Sequence, residues 1–172
     1  MRSYRFRLWH EDCYTTPILK MATIEDTMPS RPEIFRVLLI SPFDEDRRNL
    51  SRILPSAWQQ HDAGTQAEGL EFLQGNPAHV AICESELPDG TWKSVRSKIA
   101  LMACPPVLVV TSRLADEALW SEVIHLGAYD VLAKPFKSDE VVHVLTGAVS
   151  LWKSRIGQSS GSPPQVRSGS PL

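Results

Sequence analysis

The sequence predicts one α/β domain, built on a doubly wound parallel sheet with helices on both faces. Three short, continuous apolar runs carry this prediction: Val37–Ile40, Val80–Cys83 and Val107–Val110. Runs rich in β-branched residues are typical of strands that are buried on both faces of a parallel sheet. Segments of helical period lie between the runs, which gives repeated β-α units and therefore a sheet covered on both sides. In such a sheet, we expect the functional side chains beyond the carboxyl ends of the strands.

Two weaker segments complete the predicted set of five strands. Ala57–Ala63 has a mixed polar and apolar character, which favours a strand at the edge of the sheet. Val131-Leu132 follows Gly127-Ala128 and is short, so we assign it to the last strand.

Five helices are predicted between and after these strands, because apolar residues in each segment recur on one face. The last helix shows the pattern with Val141, Val144, Leu145 and Ala148, and Ser138 is its predicted N-cap. The predicted ranges are Asp44–Leu54, Thr65–Gln74, Thr91–Met102, Ala115–Leu126 and Ser138–Trp152.

The composition of the two ends predicts that the domain covers Ile34–Ile156. Residues 1–33 show no sustained period and contain no apolar segment of a secretory signal, so we expect a poorly ordered tail. Met21 and Met28 leave the position of the true start codon open. In residues 157–172, 11 of the 16 residues are Gly, Ser or Pro, which predicts a disordered second tail.

The overall composition excludes several classes of protein. The chain has 18 Lys and Arg against 20 Asp and Glu, so it has no net field that would attract nucleic acid or an acidic membrane. No apolar run approaches the roughly 20 residues of a membrane span. The three cysteines form no CxxC pair, which argues against a disulfide scaffold or a cysteine-rich zinc site and favours a reducing compartment, the cytoplasm.

Polar residues stand at the carboxyl ends of four predicted strands. They are Ser41-Pro42, Glu84-Ser85-Glu86, Thr111-Ser112 and Lys134-Pro135. The string from Glu84 to Gly90, with its Leu-Pro-Asp-Gly ending, resembles the loop after the third strand of response-regulator receiver domains. Thr111 and Lys134-Pro135 match the family's motifs at the ends of the fourth and fifth strands. The resemblance covers Ile34–Ile156 and implies a CheY-like, flavodoxin-like sheet of strand order 2-1-3-4-5.

The resemblance also implies a phosphorylation site, and this sequence lacks some of the residues that such a site requires. In the family, an aspartate accepts a phosphoryl group, and a pair of acids after the first strand holds Mg²⁺. Ser41 and Pro42 stand at the positions of that acid pair, so we expect Mg²⁺ binding to be weak or absent and name no cofactor. Glu84 stands at the position of the acceptor, and its carboxylate lies one methylene, roughly 1.5 Å, further from the backbone.

Three acids follow shortly after the missing pair, namely Asp44, Glu45 and Asp46. They admit two interpretations, a displaced metal site or simple complementarity to the positive end of the next helix. We prefer the second interpretation.

The other positions implied by the resemblance are Thr111, Lys134 and Val131. Lys134 is expected to pair with Glu84, with the Thr111 hydroxyl close by, either as a structural ion pair at the rim of the sheet or as a remnant of the signalling site. Val131 stands where the family has an aromatic switch residue, so the usual coupling through a rotating ring is in doubt. Trp120 and Trp152 lie in the fourth and fifth helices and are possible interface residues, although helical tryptophan most often belongs to the core.

We therefore predict a single-domain pseudo-receiver of two-component (phosphorelay) signal transduction, not an enzyme. It would act by contacts with a histidine kinase, with another response regulator or with a second copy of itself, through the face of the fourth helix, fifth strand and fifth helix. Two alternatives stay open. One is a competent receiver that is phosphorylated on a carboxylate near Glu84 with displaced Mg²⁺ ligands. The other is a flavodoxin-like protein that binds a small molecule, for which Pro42-Phe43 makes a poor phosphate loop.

Overall fold

The computed structural model describes residues 33–159, and it confirms the predicted five-stranded parallel sheet with its strand order 2-1-3-4-5. Parallel pairing joins each of the five strands to its neighbours. The strands are β1 (Phe35–Ile40), β2 (Trp58–Ala63), β3 (Val80–Glu84), β4 (Val107–Ser112) and β5 (Asp130–Ala133). The helices are α1 (Asp44–Ile53), α2 (Gln66–Gly75), α3 (Trp92–Ile99), α4 (Glu117–His125) and α5 (Ser138–Ser159).

Two layers of core lie against the two faces of the sheet, because successive residues of a strand point to opposite sides. On β1, Leu38 and Ile40 face the layer formed by α2, α3 and α4. Val37 and Leu39 face the layer formed by α1 and α5. All four side chains are fully buried, which explains why a continuous apolar run was the correct signal for this strand.

The predicted helix ends lie within a few residues of the observed ones, apart from the end of α5. Ser138 is the first residue of α5 and not its N-cap, and α5 continues to Ser159, beyond its predicted end at Trp152 and beyond the predicted domain boundary at Ile156. Apart from Glu33 and residues 157–159, the two predicted tails lie outside the described residues. A short antiparallel ribbon, Glu86–Leu87 with Gly90–Thr91, was not predicted and forms within the Leu-Pro-Asp-Gly segment.

The interface role predicted for Trp152 is not supported, because its ring is 6% exposed and belongs to the core on the α5 side of the sheet. The ring centroid of Trp152 lies 4.4 Å from that of His79, which precedes β3. His79 Nδ1 accepts a hydrogen bond of 2.9 Å from the backbone N–H of Arg36. Burial lowers the pKa of His79, so the neutral ring is favoured in the folded protein.

None of the helices in the described part of the chain is long and apolar enough to cross a membrane.

Candidate functional site

Three charged side chains meet at the carboxyl end of the sheet. The Lys134 ammonium forms ion pairs with Glu84 and with Asp46, at 2.5 Å to Asp46 Oδ2. All three side chains are buried, with 5% of Lys134 and 7% of each carboxyl side chain exposed. The pairing of Lys134 with Glu84 agrees with the sequence prediction. We call these three residues the charge cluster.

The strand register explains why Glu84 and Lys134 meet. Glu84 is the last residue of β3 and lies beside Thr111 of β4. Thr111 in turn lies beside Leu132 of β5, and Lys134 follows two residues later. The backbone N–H of Lys134 donates to the carbonyl of Ser112 at 3.1 Å, which holds the segment after β5 against the end of β4. The Lys134-Pro135 peptide bond is cis.

Asp46 is the member of the cluster that the sequence interpretation missed. We assigned it to helix-dipole complementarity together with Asp44 and Glu45, and it does lie in the first turn of α1, but that interpretation did not include its burial or its ion pair with Lys134. Its residue is 5% exposed and points inward, one turn before the buried Leu50 of α1. Asp44 points to solvent and pairs with Arg47 at 3.2 Å. The shared face of Asp46 and Leu50, four residues apart, is the signal that could have identified this buried acid.

Ser41 and Pro42, which stand at the acid-pair positions, differ in their contacts. The Ser41 hydroxyl donates a hydrogen bond of 2.6 Å to Asp46 Oδ2, so it supports the carboxylate that α1 supplies. Ser41 is fully buried, whereas Pro42 is partly exposed and has no N–H to donate. One carboxylate from a helix thus lies near the place where the family has two carboxylates after the first strand.

Burial raises the pKa of Glu84, and the neighbouring charge of Asp46 acts in the same direction. The hydrogen bond and the positive charge of Lys134 oppose this rise. The single ammonium of Lys134 therefore pairs with two carboxylates, and the charge cluster is most stable when both ion pairs are formed.

The Thr111 hydroxyl is bonded to the backbone of a neighbouring strand, and the Val131 side chain lies in the core. The Thr111 hydroxyl donates to the carbonyl of Leu132 at 2.9 Å, so in this structure it is bonded to the backbone of β5. Val131 is 9% exposed and packs within the core on the side of α2, α3 and α4.

Phe43 covers the charge cluster from the solvent side. The Lys134 ammonium lies 4.9 Å from the centroid of the Phe43 ring, and the Arg113 guanidinium carbon lies 4.7 Å from the same centroid. Cations over an aromatic face are attracted by the ring quadrupole, so these contacts hold Phe43 in place. The ammonium is thereby surrounded by two carboxylates and an aromatic ring.

In this structure the two carboxylates of the charge cluster are not free to bind Mg²⁺. Lys134 already pairs with both Asp46 and Glu84, and Ser41 and Pro42 supply no further carboxylate. Among the described residues, no group of three or more His, Cys, Asp and Glu side chains could hold a metal ion.

The Leu-Pro-Asp-Gly loop is fixed to the start of α2 by Asp89. Its carboxylate accepts hydrogen bonds from the backbone N–H groups of Gln66 at 2.8 Å and Ala67 at 2.9 Å. Burial alone would raise the pKa of Asp89, but these backbone donors lower it. The resemblance motif thus orders the loop that follows Glu84.

Trp120 lies on the surface of α4, with 51% of the residue exposed. Its indole N–H donates to Asp130 at 3.3 Å. Ile124, one turn later, is 41% exposed, so α4 presents two large apolar side chains to solvent. Leu114, in the segment before α4, is 81% exposed.

A comparison with curated proteins finds a distant relative, the hydrogenase transcriptional regulatory protein HoxA of Bradyrhizobium diazoefficiens. The two sequences are 20% identical over 118 residues, which span 68% of this chain and 24% of that protein. The chain thus matches about a quarter of the relative's length. No family model matches the sequence.

Several solved structures with the same fold are response regulators or their receiver domains. The signal receiver domain of an HD domain-containing protein from Pseudomonas fluorescens superimposes with a TM-score of 0.66 at 20% identity, covering 81% of this chain and 98% of that chain. A response regulator receiver domain protein from Clostridium thermocellum gives 0.64 at 18% identity, covering 71% and 99%. The chemotaxis response regulator CheY4 of Vibrio cholerae gives 0.60 at 18% identity, covering 67% and 98%.

Proposed function

Because this chain has the fold of response-regulator receiver domains, we propose that it is a receiver-like protein of two-component signal transduction. We further propose that it is a pseudo-receiver, which holds one signalling conformation without accepting a phosphoryl group and is not an enzyme. In this proposal, Glu84 provides a permanent negative charge where a receiver would be phosphorylated. A cytoplasmic location belongs to the same proposal.

The observation that carries the proposal is the state of Lys134. Its ammonium binds Asp46 and Glu84 and faces the Phe43 ring. A phosphoryl group on Glu84 would need donors to balance its charge. The ammonium of the charge cluster is already paired with two carboxylates, which supports a site that is complete without phosphate.

Phosphoryl transfer to the full chain tests this function. We expect that incubation with acetyl phosphate and Mg²⁺ leaves the intact mass unchanged, whereas a competent receiver from another protein gains one phosphoryl group under the same conditions. Magnesium titration followed by tryptophan fluorescence should likewise show no saturable change at millimolar concentrations.

The variants Glu84→Ala and Glu86→Ala make the test specific. Glu86 is exposed and lies two residues from the buried Glu84. A mass gain in the wild type that persists in Glu86→Ala and disappears in Glu84→Ala would contradict the pseudo-receiver and establish the competent receiver.

We propose that output runs through protein contacts on the face that contains Trp120. Half of this large side chain is exposed beside the exposed Ile124, and aromatic side chains of this kind are enriched at the centres of protein interfaces. The partner is a histidine kinase, another response regulator or a second copy of this chain.

Replacing Trp120 by Ala should reduce self-association or partner binding while the fold is retained. Multi-angle light scattering at increasing concentration measures the homodimer directly, with Arg48→Ala as a control on an exposed position of α1, outside the predicted face. If wild-type chains associate and Trp120→Ala associates equally well, the homodimer does not use this face.

A further inference from the structure

A cavity of about 300 Å³ lies at the opposite end of the sheet from the charge cluster. Val107, the first residue of β4, forms part of its wall, whereas Glu84 and Lys134 lie at the carboxyl ends of their strands. Its other walls come from the end of α3, the turn at Gly127, Tyr129 and the last part of α5. Nothing in the proposed pseudo-receiver function uses this cavity.

The charge of the cavity is positive. Arg96 of α3 and Arg155 of α5 line it, and none of the lining residues carries a carboxylate. Arg96 Nε donates to the carbonyl of Gly127 at 3.3 Å. In the part of the chain that the structure describes, no carboxylate forms an ion pair with Arg96, so its two terminal nitrogens keep donors for a ligand.

Gly127 gives the Arg96 side chain its space. Its φ angle is +80°, and a Cβ atom at this position would lie 3.1 Å from a terminal nitrogen of Arg96. A larger residue would be strained in this conformation and would press on the guanidinium. The turn therefore suits an arginine that lies across it.

The rest of the cavity is largely apolar. Ile99 and Pro106 are buried in its wall, and the half-buried ring of Tyr129 closes another side. Ligand sites of proteins commonly combine apolar walls with a few polar groups that fix the orientation of the ligand.

We propose that this cavity binds a small organic anion. Its carboxylate or phosphate group would bind the terminal nitrogens of Arg96, on the wall that also contains Arg155, because a guanidinium group binds either anion with paired hydrogen bonds. Its apolar body would pack on Ile99, Pro106 and Tyr129. This site is separate from the charge cluster, so a failure of the pseudo-receiver function would not affect the predicted binding of the anion.

Titration of the full, isotope-labelled chain with phenyl phosphate tests the site by NMR. We expect saturable shifts at the amides of Gly127 and Tyr129, and no saturable shifts with phenol, which has the same ring without the charge. The substitution Arg96→Gln should weaken the affinity about tenfold, as loss of one charged hydrogen-bonding partner predicts. Inorganic phosphate, which lacks the apolar body, should bind more weakly than phenyl phosphate.

Two further variants keep the proposal falsifiable. Arg155→Gln lies on an exposed part of α5 and should weaken binding in the same direction, which covers the case of an unfolded Arg96→Gln protein. Arg48→Gln, on the exposed surface of α1, should leave the affinity unchanged. Unsaturable shifts, wild-type affinity in both cavity variants, or equal weakening by Arg48→Gln would overturn the proposal.

Discussion

Replacing Lys134 by Met should lower the free energy of unfolding at neutral pH by about 3–5 kcal/mol, the range found when one partner of a buried ion pair is removed. The substitution keeps the length of the side chain but leaves the carboxylates of Asp46 and Glu84 buried without a counter-ion. Since small domains are stable by only about 5–15 kcal/mol, this loss is a large part of the total. Urea denaturation followed by circular dichroism measures it.

The sign of the pH dependence gives a second test of the same variant. Without Lys134, burial raises the pKa of Glu84 further above its ordinary value of 4.5, because the opposing positive charge is gone. A carboxyl group whose folded pKa is raised contributes stability that is fully present below its unfolded pKa and is lost as the pH rises. The deficit of Lys134→Met relative to the wild type should therefore shrink as the pH falls toward the ordinary pKa of glutamic acid.

Lys93→Met is the matched control for this prediction. Lys93 forms an ion pair with Glu122 at 2.5 Å, but 49% and 43% of the two side chains are exposed. An exposed pair of this kind contributes about 0–1 kcal/mol. Adding Glu84→Gln to Lys134→Met should restore part of the lost stability. Equal losses in Lys134→Met and Lys93→Met would show that the charge cluster does not stabilise the fold.

The sheet could be predicted from the sequence because its signals are local. The run Val37–Ile40 is buried on both faces, so a continuous β-branched segment identifies the strand without knowledge of its neighbours. Lys134 and Glu84 could be paired in advance for a related reason, since carboxyl ends of parallel strands meet at one edge of a sheet.

The rest of the site depends on packing that sequence periodicity does not encode. Acidic residues are common in the first turn of any helix, so Asp46 looked no different from Asp44 until its neighbours were known. The position of the Phe43 ring depends on Lys134 and Arg113, which lie about 70 or more residues further along the chain. Contacts of such sequence separation follow from the topology as a whole.

The burial of Trp152 in α5, by contrast, could have been predicted from the helical period of the sequence. Val141, Leu145 and Ala148 are all buried, and a step of four residues from Ala148 leads to Trp152 on the same face. The helical period thus already favoured burial of Trp152, whereas the interface interpretation followed only from the family's docking face.

Replacing Trp152 by Ala should lower the free energy of unfolding by about 3–5 kcal/mol, as is typical when a large aromatic side chain is removed from a core. The Trp152 ring is 6% exposed and packs on the His79 ring, so the substitution leaves a cavity in the core. Thermal and urea denaturation measure the loss. Trp120→Ala, which removes the same side chain from a position that is 51% exposed, should cost less than about 1 kcal/mol.

His79 reports on the same substitution independently of stability. Burial lowers its pKa in the wild type, and the positive charges of Arg36 and Lys153 add to this effect, while the Arg36 backbone hydrogen bond and the Glu33 carboxylate oppose it. A histidine with a lowered pKa contributes stability that is present above its unfolded pKa and is lost as the pH falls through the folded value.

In Trp152→Ala, solvent reaches the His79 ring, so the NMR titration of His79 should move up toward the ordinary value of 6.5. Trp120→Ala should leave that titration unchanged, because Trp120 lies on α4, which packs on the other face of the sheet from Trp152. Equal stability losses in the two tryptophan variants, or an unchanged His79 titration in a folded Trp152→Ala protein, would contradict the assignment of Trp152 to the core.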